Sequence, residues 1–250
     1  MTPKASFVIP AYNADAYLAQ TLLSCRNQSV KEIEIIVVDN GSTDGTKDLV
    51  LWHSEHDPRV KWLESPTQKN RSAARNFGNL AAQAPIIFVM DSDDISLKNR
   101  VRDSLIHFSM KNTDVLYGPC QVIDENDNLL GNHPAGPFNR ELAIKKRMNY
   151  IVHSTMAYRK GVTLNVQYDE GDYSRLGLDD WKFQWDCLSK GYKFGFTKTF
   201  LTRNRIYGLA QSQDKMIFGS ETEEKRDAKE VEALKSAYLA GIAGACATEV

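Results

Sequence analysis

Residues 84–96, with the sequence APIIFVMDSDDIS, pass directly from five apolar residues into three closely spaced carboxylates, Asp91, Asp93 and Asp94. The apolar run, 86–90, is typical of a buried β-strand. Isolated buried carboxylates are costly, so this cluster indicates water, a cation or a phosphate-bearing ligand beside it. The alternative is a solvated turn that leads into a helix cap.

Three similar apolar runs precede this stretch, and each predicts a further strand. The runs are residues 6–10, 33–38 and 60–63. Amphipathic segments between them predict helices. On the helix faces we expect Tyr17, Leu18, Leu22 and Cys25, then Leu49, Val50 and His53, then Ala73, Ala74, Phe77, Leu80 and Ala81. Asn13 is the expected cap of the first helix, and Ser42 or Thr43 that of the second. The order βαβαβαβ predicts an α/β fold with a mostly parallel sheet and helices on both faces.

Polar motifs follow three of these strands: PAYN (10–13), DNGSTDG (39–45) and DSDD (91–94). Parallel strands end at a common edge, and open α/β sheets bind ligands outside the carboxyl ends of their strands. We therefore expect Asp39 to share one crevice with the carboxylates after the fourth strand. Crowded like charges raise each other's pKa unless a cation intervenes, and carboxylate oxygens suit Mg²⁺ or Mn²⁺. The pattern indicates a nucleotide diphosphate held with a divalent cation.

Composition narrows the class of protein. The 250 residues suffice for one large domain or two small ones with a buried core. Lysine and arginine total 31 against 32 acidic residues, so nucleic acid is not expected as a partner. The four cysteines lack paired spacing, which argues against a zinc site or a disulfide framework. The polar start, MTPKASFVIP, and the lack of a long apolar stretch favour a cytoplasmic protein with no transmembrane segment.

Four consecutive motifs carry a resemblance to a known family. They are FVIPAYNADAYLAQTLLS, IEIIVVDNGSTDGT, SAARNFGNLA and IIFVMDSDD, within residues 5–110. In this order they resemble the family 2 glycosyltransferases, and STMAYRK, QYDEGDYSRLGLDDWKF and RNRIYG extend the likeness downstream. The resemblance implies a GT-A fold, a Rossmann-like sheet with a smaller acceptor-side subdomain. It also implies a nucleotide-sugar-binding half at 1–112, an acceptor-binding and catalytic-base half at 113–215, and a helical tail at 216–250.

The resemblance further assigns residues to the donor. Tyr12 matches the aromatic that stacks on the base, and Asp39 the carboxylate that hydrogen-bonds it; a turn contact is the alternative for Asp39. Asp91 and Asp93 match the D-x-D motif, which is expected to hold Mn²⁺ or Mg²⁺ against the diphosphate. Arg75 matches a basic residue near the nucleotide, with a helix-surface ion pair as its alternative. The donor-binding residues implied are Pro10, Tyr12, Asn13, Asp39, Arg75, Asp91, Ser92 and Asp93.

The motif LDDW supplies the general base that the resemblance implies. Asp180 matches the Asp of the family's E-D pair, and Asp179 replaces the Glu before it. The reaction implied is an inverting single displacement by a hexosyltransferase, in which Asp180 takes the acceptor's proton. The alternative is that both carboxylates only open a helix, where acids favour the positive end of the dipole. Its buried stripe would be Trp181, Trp185 and Leu188. Gly191 is expected to end it.

Several other residues are candidates for the same site. Arg71 stands where the family commonly has glycines, and it either contacts the nucleotide or faces water. Tyr207 replaces a His that closes on the metal or diphosphate in many members; tyrosine can bond a phosphate but is a poor Mg²⁺ ligand. Arg205 is a candidate diphosphate partner or a surface charge. Asp94 belongs to the carboxylate cluster, and His153 either lines the acceptor cleft or is a satisfied strand-end histidine.

Donor and acceptor identity stay open at this level. A UDP-sugar is favoured as donor, with a glycan, a lipid-linked sugar or another hydroxyl compound as acceptor. The tail either packs on the body or binds a partner or a membrane surface, through an apolar stripe. The stripe is Val231, Leu234, Tyr238 and Ile242. Two other functions are also open: a non-catalytic sugar-nucleotide-binding module, and a haloacid-dehalogenase-type phosphatase, which also places a D-x-D after a parallel strand.

Overall fold

The computed structural model describes residues 2–66, 70–139, 151–207, 232–233 and 235–237. Its strands are β1 (Ala5–Ala11), β2 (Ile33–Asp39), β3 (Val60–Glu64), β4 (Ile86–Val89), β5 (Ile95–Ser96), β6 (Val115–Tyr117), β7 (Cys120–Ile123), β8 (Leu129–His133), β9 (Ala157–Arg159), β10 (Phe194–Phe196) and β11 (Thr202–Arg205). Its α-helices are α1 (Asp15–Arg26), α2 (Thr46–His56), α3 (Arg71–Ala81), α4 (Arg100–Met110), α5 (Asp172–Arg175) and α6 (Asp179–Ser189). Short 3-10 helices lie at His153–Thr155 and Lys160–Leu164.

The described strands form two sheets. The larger has seven strands in the order β10-β6-β9-β4-β1-β2-β3. All of them run in one direction except β9, which is antiparallel to both neighbours. The prediction of a mostly parallel sheet is therefore confirmed. The smaller sheet has the order β5-β11-β7-β8, and its β7 and β8 form an antiparallel pair.

Helices cover both faces of the large sheet, as predicted. One buried cluster receives Leu22 from α1, Val50 from α2 and Phe108 from α4. The opposite cluster receives Ala74 from α3 and Phe183 from α6. Successive residues of β1 enter opposite clusters, because side chains alternate between the faces of a strand. This two-sided burial explains the unbroken apolar runs of the central strands.

The predicted caps of the first two helices are wrong. The N-cap of α1 is Ala14, and Asn13 has φ +46° while its Oδ1 accepts a hydrogen bond from the Thr43 amide at 2.8 Å. The N-cap of α2 is Gly45, again without a side-chain cap. Ser42 instead donates its hydroxyl to Asp39. The Asn13 and Ser42 side chains thus bond within the loops. The amides of Ala14 and Asp15 at the start of α1 donate instead to Thr46 Oγ1 at 2.8 Å and Asp44 Oδ2 at 3.2 Å.

One position on α3 also differs from the prediction. Leu80 is 77% exposed, whereas the buried face includes Arg75 and Asn79. The helix lies close to β1: a Cβ on Gly78 would come within 2.5 Å of Val8 Cγ1. The close approach at Gly78 and the burial of polar side chains that face the site set which side of α3 packs on the sheet. The buried face therefore differs from the purely apolar face that periodicity indicates.

The helix predicted after LDDW is α6, and its main features are confirmed. Trp181 and Trp185 are buried, and Leu188 is half-buried. The chain leaves the helix through Gly191, which has φ +77° and donates its amide to the Leu188 carbonyl at 3.1 Å. A left-handed residue after the last turn favours glycine because it has no Cβ.

The cysteines described by the structure, Cys25, Cys120 and Cys187, are buried free thiols, and Cys246 lies outside the described residues. Burial raises the pKa of Cys25 to about 12, so this thiol is unreactive at neutral pH. Within the part of the chain that is described, no helix is long and apolar enough to cross a membrane.

Candidate active site

The strand-end motifs lie side by side at the carboxyl edge of the large sheet. Ala11 at the end of β1 pairs with Asp39 at the end of β2. On the other side of β1, β4 runs parallel to it and leads into Asp91. Pro10 is buried within β1, whereas Tyr12 stands at the rim and is 45% exposed. Parallel pairing thus brings the three motifs into one crevice.

Asp39 is mostly buried and makes turn contacts. Its carboxylate accepts the Ser42 amide at 3.2 Å and the Ser42 hydroxyl at 2.5 Å. The amide of Asn13 in turn donates to the Ser42 hydroxyl oxygen at 3.0 Å. The turn alternative for Asp39 is therefore realised, and binding of a nucleotide base by Asp39 stays a prediction.

Arg75 links the donor-side carboxylates to the start of α6. Its Nη2 donates to Asp91 Oδ1 at 2.7 Å and its Nη1 to Asp179 Oδ2 at 2.6 Å. The guanidinium also lies 5.4 Å from the centre of the Tyr168 ring. From the same helix, Arg71 Nη2 donates to Asp179 Oδ1 at 2.6 Å. Arg75 is only 4% exposed, so it forms a buried bridge and not the helix-surface pair considered above.

This bridge keeps both of its carboxylates ionised. Burial acts to raise the pKa of Asp179, but the charges of Arg71 and Arg75 outweigh it and hold that pKa well below its usual range. Burial likewise opposes ionisation of Asp91, and the Arg75 charge brings the pKa of Asp91 below normal. Two arginines therefore stabilise two anionic carboxylates, of which Asp179 is fully buried and Asp91 is partly exposed.

Asp93 has a different environment. Burial, together with the negative charge of Asp91, raises the pKa of Asp93 to about 6. The Tyr207 hydroxyl donates to Asp93 Oδ2 at 2.9 Å. Tyr207, which stands where the resemblance expects a His, thus contacts the Asp93 carboxylate directly. A carboxylate in this setting gains from a nearby cation.

The donor set fits a hard divalent cation. Asp91 and Asp93 supply carboxylate oxygens, the ligand type that Mg²⁺ and Mn²⁺ prefer. Among the residues described, no group of three or more His, Cys, Asp or Glu is arranged as a complete metal site. Mg²⁺ usually takes only one or two protein carboxylates and completes its shell with water and substrate phosphates, so two carboxylates suffice.

Asp94 and Arg205 are turned to contacts within the protein. Asp94 has no exposed surface, and its Oδ1 accepts the Arg205 amide at 2.8 Å and Asn204 Nδ2 at 3.1 Å. Burial and the charge of Asp93 raise the pKa of Asp94 well above normal. The Arg205 side chain is also fully buried. Neither side chain therefore lies at the surface. The hydrogen bonds that Asp94 accepts join β11 to the loop after β4.

His153 is a buried neutral histidine. Its Nε2 lies 2.8 Å from the Tyr168 hydroxyl. Burial, reinforced by the charge of Arg75, lowers the pKa of His153 to about 3. The side chain is 7% exposed, so it does not line an open cleft. The satisfied histidine considered above is realised at Nε2 only, because Nδ1 is buried with no hydrogen-bond partner among the described residues.

Asp180 occupies the first turn of α6, beside the Arg75 bridge. Its Oδ1 accepts the Trp181 amide at 2.7 Å. Burial and the adjacent charge of Asp179 raise the pKa of Asp180 above the usual value for Asp. The described part of the C-terminal segment reaches this helix, since Lys235 Nζ lies 5.7 Å from the Trp181 ring centre. The predicted apolar stripe of the tail lies outside the described residues.

Sequence reasoning missed how the loop after β4 is held from α1. The Thr21 hydroxyl lies 2.9 Å from the Ser92 carbonyl oxygen and 2.8 Å from that of Asp94. Gln20 and Tyr17 of the same helix contact Arg205. The sequence marked Tyr17 only as part of an apolar face. The polar contacts could be predicted only from the knowledge that β11 returns to this loop.

Known proteins are similar to this chain in sequence and in fold. The family model described as Glycosyl transferase family 2 matches residues 6–165. An uncharacterized glycosyltransferase of Haemophilus influenzae is 40% identical over 192 residues, which cover 75% of this chain and 73% of that protein. The Escherichia coli UDP-Glc:alpha-D-GlcNAc-diphosphoundecaprenol beta-1,3-glucosyltransferase WfaP is 28% identical over 84% of this chain and 80% of its own.

A solved structure, S. aureus TarS 1-349 in complex with UDP-GlcNAc, superposes with a TM-score of 0.67. It is 19% identical, and the match covers 87% of this chain and 62% of that one. The chain therefore spans less than two thirds of this neighbour. At 19% identity, the likeness shows the fold alone. The family match leaves the phosphatase alternative without support. The chain belongs to glycosyl transferase family 2 and has the GT-A fold.

Proposed function

We propose that this protein transfers a sugar from a nucleotide-diphosphate donor, favouring UDP, to an acceptor hydroxyl by an inverting, metal-assisted single displacement. The observation that carries the proposal is the Arg75 bridge from Asp91 to Asp179, with Asp180 next in the chain. The bridge joins the helix that carries the expected base to a carboxylate of the expected donor site. A single displacement requires the base and the donor to be held in place together.

The donor half would act through the crevice at the ends of β1, β2 and β4. Tyr12, exposed at the rim, is suited to stack on the base, with Asn13, Pro10 and Asp39 forming the adjoining wall. Asp91 and Asp93 would hold Mn²⁺ or Mg²⁺. When bound, the cation would supply Lewis-acid stabilisation of the charge that grows on the departing diphosphate. Arg75 and Arg71 would keep Asp91 and Asp179 anionic and in place.

Asp180, and not Asp179, is the carboxylate suited to serve as base. Asp179 is fully buried and ion-paired to both arginines, and its lowered pKa makes it a weak base. The raised pKa of Asp180 makes it a better proton acceptor. Asp180 would take the proton of the acceptor hydroxyl as that oxygen attacks the anomeric carbon, and the nucleoside diphosphate would leave from the opposite face.

The acceptor side is proposed from the relatives. WfaP is named for transfer to a diphosphoundecaprenol-linked sugar. We propose a lipid-linked or related glycan acceptor for this chain, bound by 113–215 while 1–112 binds the donor. Such an acceptor would place the protein in the cytoplasm in peripheral contact with a membrane.

Binding of nucleotides tests the donor site. We would measure thermal unfolding with UDP, GDP, dTDP and CDP, each with and without Mn²⁺, for wild type, Asp93→Asn and the control Asp103→Asn on α4. A ligand at 100 times its Kd adds about 2.7 kcal/mol of apparent stability. We expect UDP to stabilise wild type and the control only with Mn²⁺, and Asp93→Asn to lose that effect. The absence of any nucleotide effect on wild type would overturn the proposal.

A further inference from the structure

We propose that Arg205 is a positioning residue that holds Asp93, and that the turn between β7 and β8 anchors Arg205 for this task. The inference rests on the proposed function, because it concerns the carboxylate expected to hold the metal. It gives Arg205 a role inside the protein and not as a ligand of the diphosphate.

The Arg205 guanidinium makes four contacts within the protein. Its Nε donates to the Asp93 carbonyl at 2.9 Å, and its Nη1 to the Asp124 carbonyl at 2.9 Å. Its Nη2 donates to Gln20 Oε1 at 2.6 Å and lies 2.7 Å from Asp127 Oδ1. Every nitrogen is engaged, with four of the five N–H groups in use, and the side chain is fully buried, so the guanidinium is not accessible to a phosphate. The planar fork instead fixes the main chain at Asp93 against α1 and the small sheet.

The side chain of Asp93 is held by the same group of residues. The Arg205 guanidinium lies 4.4 Å from the Tyr17 ring centre. Tyr17 packs in turn against Tyr207, with ring centres 5.7 Å apart, and Tyr207 bonds Asp93 Oδ2. Carbonyl and carboxylate of Asp93 are therefore positioned from one cluster. A change in Arg205 should move both.

The β7–β8 turn is shaped to present Asp127. The Asp124 carboxylate accepts the amides of Asn126 and Asn128 at 2.9 and 2.8 Å, which closes the turn on itself. Asp127 has φ +69°, a left-handed conformation that costs energy for a residue other than glycine. In it the Asp127 carboxylate reaches Gln20 Nε2 at 2.8 Å as well as Arg205. The strained turn thus closes the contact between the hairpin, α1 and Arg205.

The test measures how tightly UDP and Mn²⁺ bind. We would titrate Mn²⁺ into protein with saturating UDP by calorimetry, for wild type, Arg205→Lys and Asp127→Asn. Lys keeps the charge but cannot reproduce the fork. Loss of a residue that orients a metal ligand typically weakens metal binding about tenfold or more, so we expect Mn²⁺ affinity to fall by about tenfold in Arg205→Lys and by less in Asp127→Asn.

Arg159→Lys is the matched control. Arg159 also donates to two carbonyls, of Thr113 and Phe108, and stacks on the Phe108 ring, but it pairs with the opposite end of β4. We expect it to lower the melting temperature without changing Mn²⁺ affinity. Unchanged Mn²⁺ affinity in Arg205→Lys, or an equal loss in Arg159→Lys, would overturn the inference while leaving the proposed function intact. If wild type binds no nucleotide with Mn²⁺, the proposed function fails first and the inference falls with it.

Discussion

Asp179 and Asp180 are neighbours in the chain with opposite properties. Asp179 is fully buried between two arginines, whereas Asp180 is partly exposed and bonds the start of its own helix. The pKa of the first is lowered and that of the second is raised. The sequence motif is symmetric, but only Asp180 has the raised pKa that suits the role of base proposed for it.

Replacing Asp180 tests its role as base. Asp180→Asn removes the proton acceptor and keeps the shape, so we expect sugar transfer to fall at least about 100-fold, the usual scale of general-base catalysis. UDP binding with Mn²⁺ should be unchanged. Initial transfer rates and calorimetry measure the two properties, and wild-type transfer by the variant would contradict the role.

The pH profile tests the coupling between the two carboxylates. A base works only when deprotonated, so activity should be lost as pH falls through the Asp180 pKa, which is raised. Asp179→Asn removes the adjacent negative charge and leaves the arginines unbalanced. Both changes lower the Asp180 pKa, so the acid limb should move to lower pH. Asp179→Glu retains the negative charge, so the acid limb of its pH profile should stay at the same pH as in wild type. Rate measurements across pH with intact folded protein decide this.

At the scale of elements, close packing of α3 on the sheet places Arg71 and Arg75 at the site. Gly78 permits this approach, because a Cβ there would lie 2.5 Å from Val8 Cγ1 and 3.0 Å from Val38 Cγ2. Gly78→Ala should destabilise the protein by about 1–3 kcal/mol through overpacking. Gly161→Ala, where a Cβ meets nothing within 4 Å, is the control. Urea unfolding measures both, and equal stability of the two variants would contradict the packing argument.

A second element-scale contact joins α1, α2 and β3. Asp57 accepts Arg59 Nη2 at 2.7 Å and Arg26 Nε at 2.8 Å. Hydrogen bonds from Arg59, against the opposing effect of burial, lower the pKa of Asp57. A lowered folded pKa contributes stability above the unfolded value of about 4, and that stability is lost as pH falls.

Asp57→Asn should therefore destabilise the protein by about 2 kcal/mol at pH 7. Its difference from wild type should shrink toward pH 3, where the unfolded-state carboxyl is protonated. Denaturant unfolding at both pH values checks this, with the exposed Asp48→Asn on α2 as control. A difference that stays constant with pH would argue against the ion pairs as its cause.

At the scale of the whole molecule, Arg75 is the contact that makes the two halves one site. Arg75→Lys keeps a charge but cannot bridge Asp91 and Asp179 at once. Misplacement of reacting groups by about 1 Å can cost 100-fold, so we expect kcat to fall by up to about 100-fold with a smaller change in the Kd for UDP. Arg159→Lys is again the control. A larger loss in UDP affinity than in kcat would show that Arg75 acts mainly on the nucleotide.

Much of this could be predicted from local patterns. The unbroken apolar runs indicated strands covered on both faces, and motif positions at strand ends indicated one crevice. Local patterns could not predict that Asn13 and Ser42 fail to cap their helices or that Leu80 is exposed. Contacts between loops and the close approach at Gly78 override local preference at these positions.

The sequence by itself determined the α/β order and the family, since these depend on periodicity and on short motifs. Only the tertiary structure decided which charges face each other. Arg75 meets Asp179 from 104 positions away, and Arg205 meets Asp93 from 112. Whether a buried charge is stabilised depends on the partner that the fold brings to it, and chain distance carries no record of that partner.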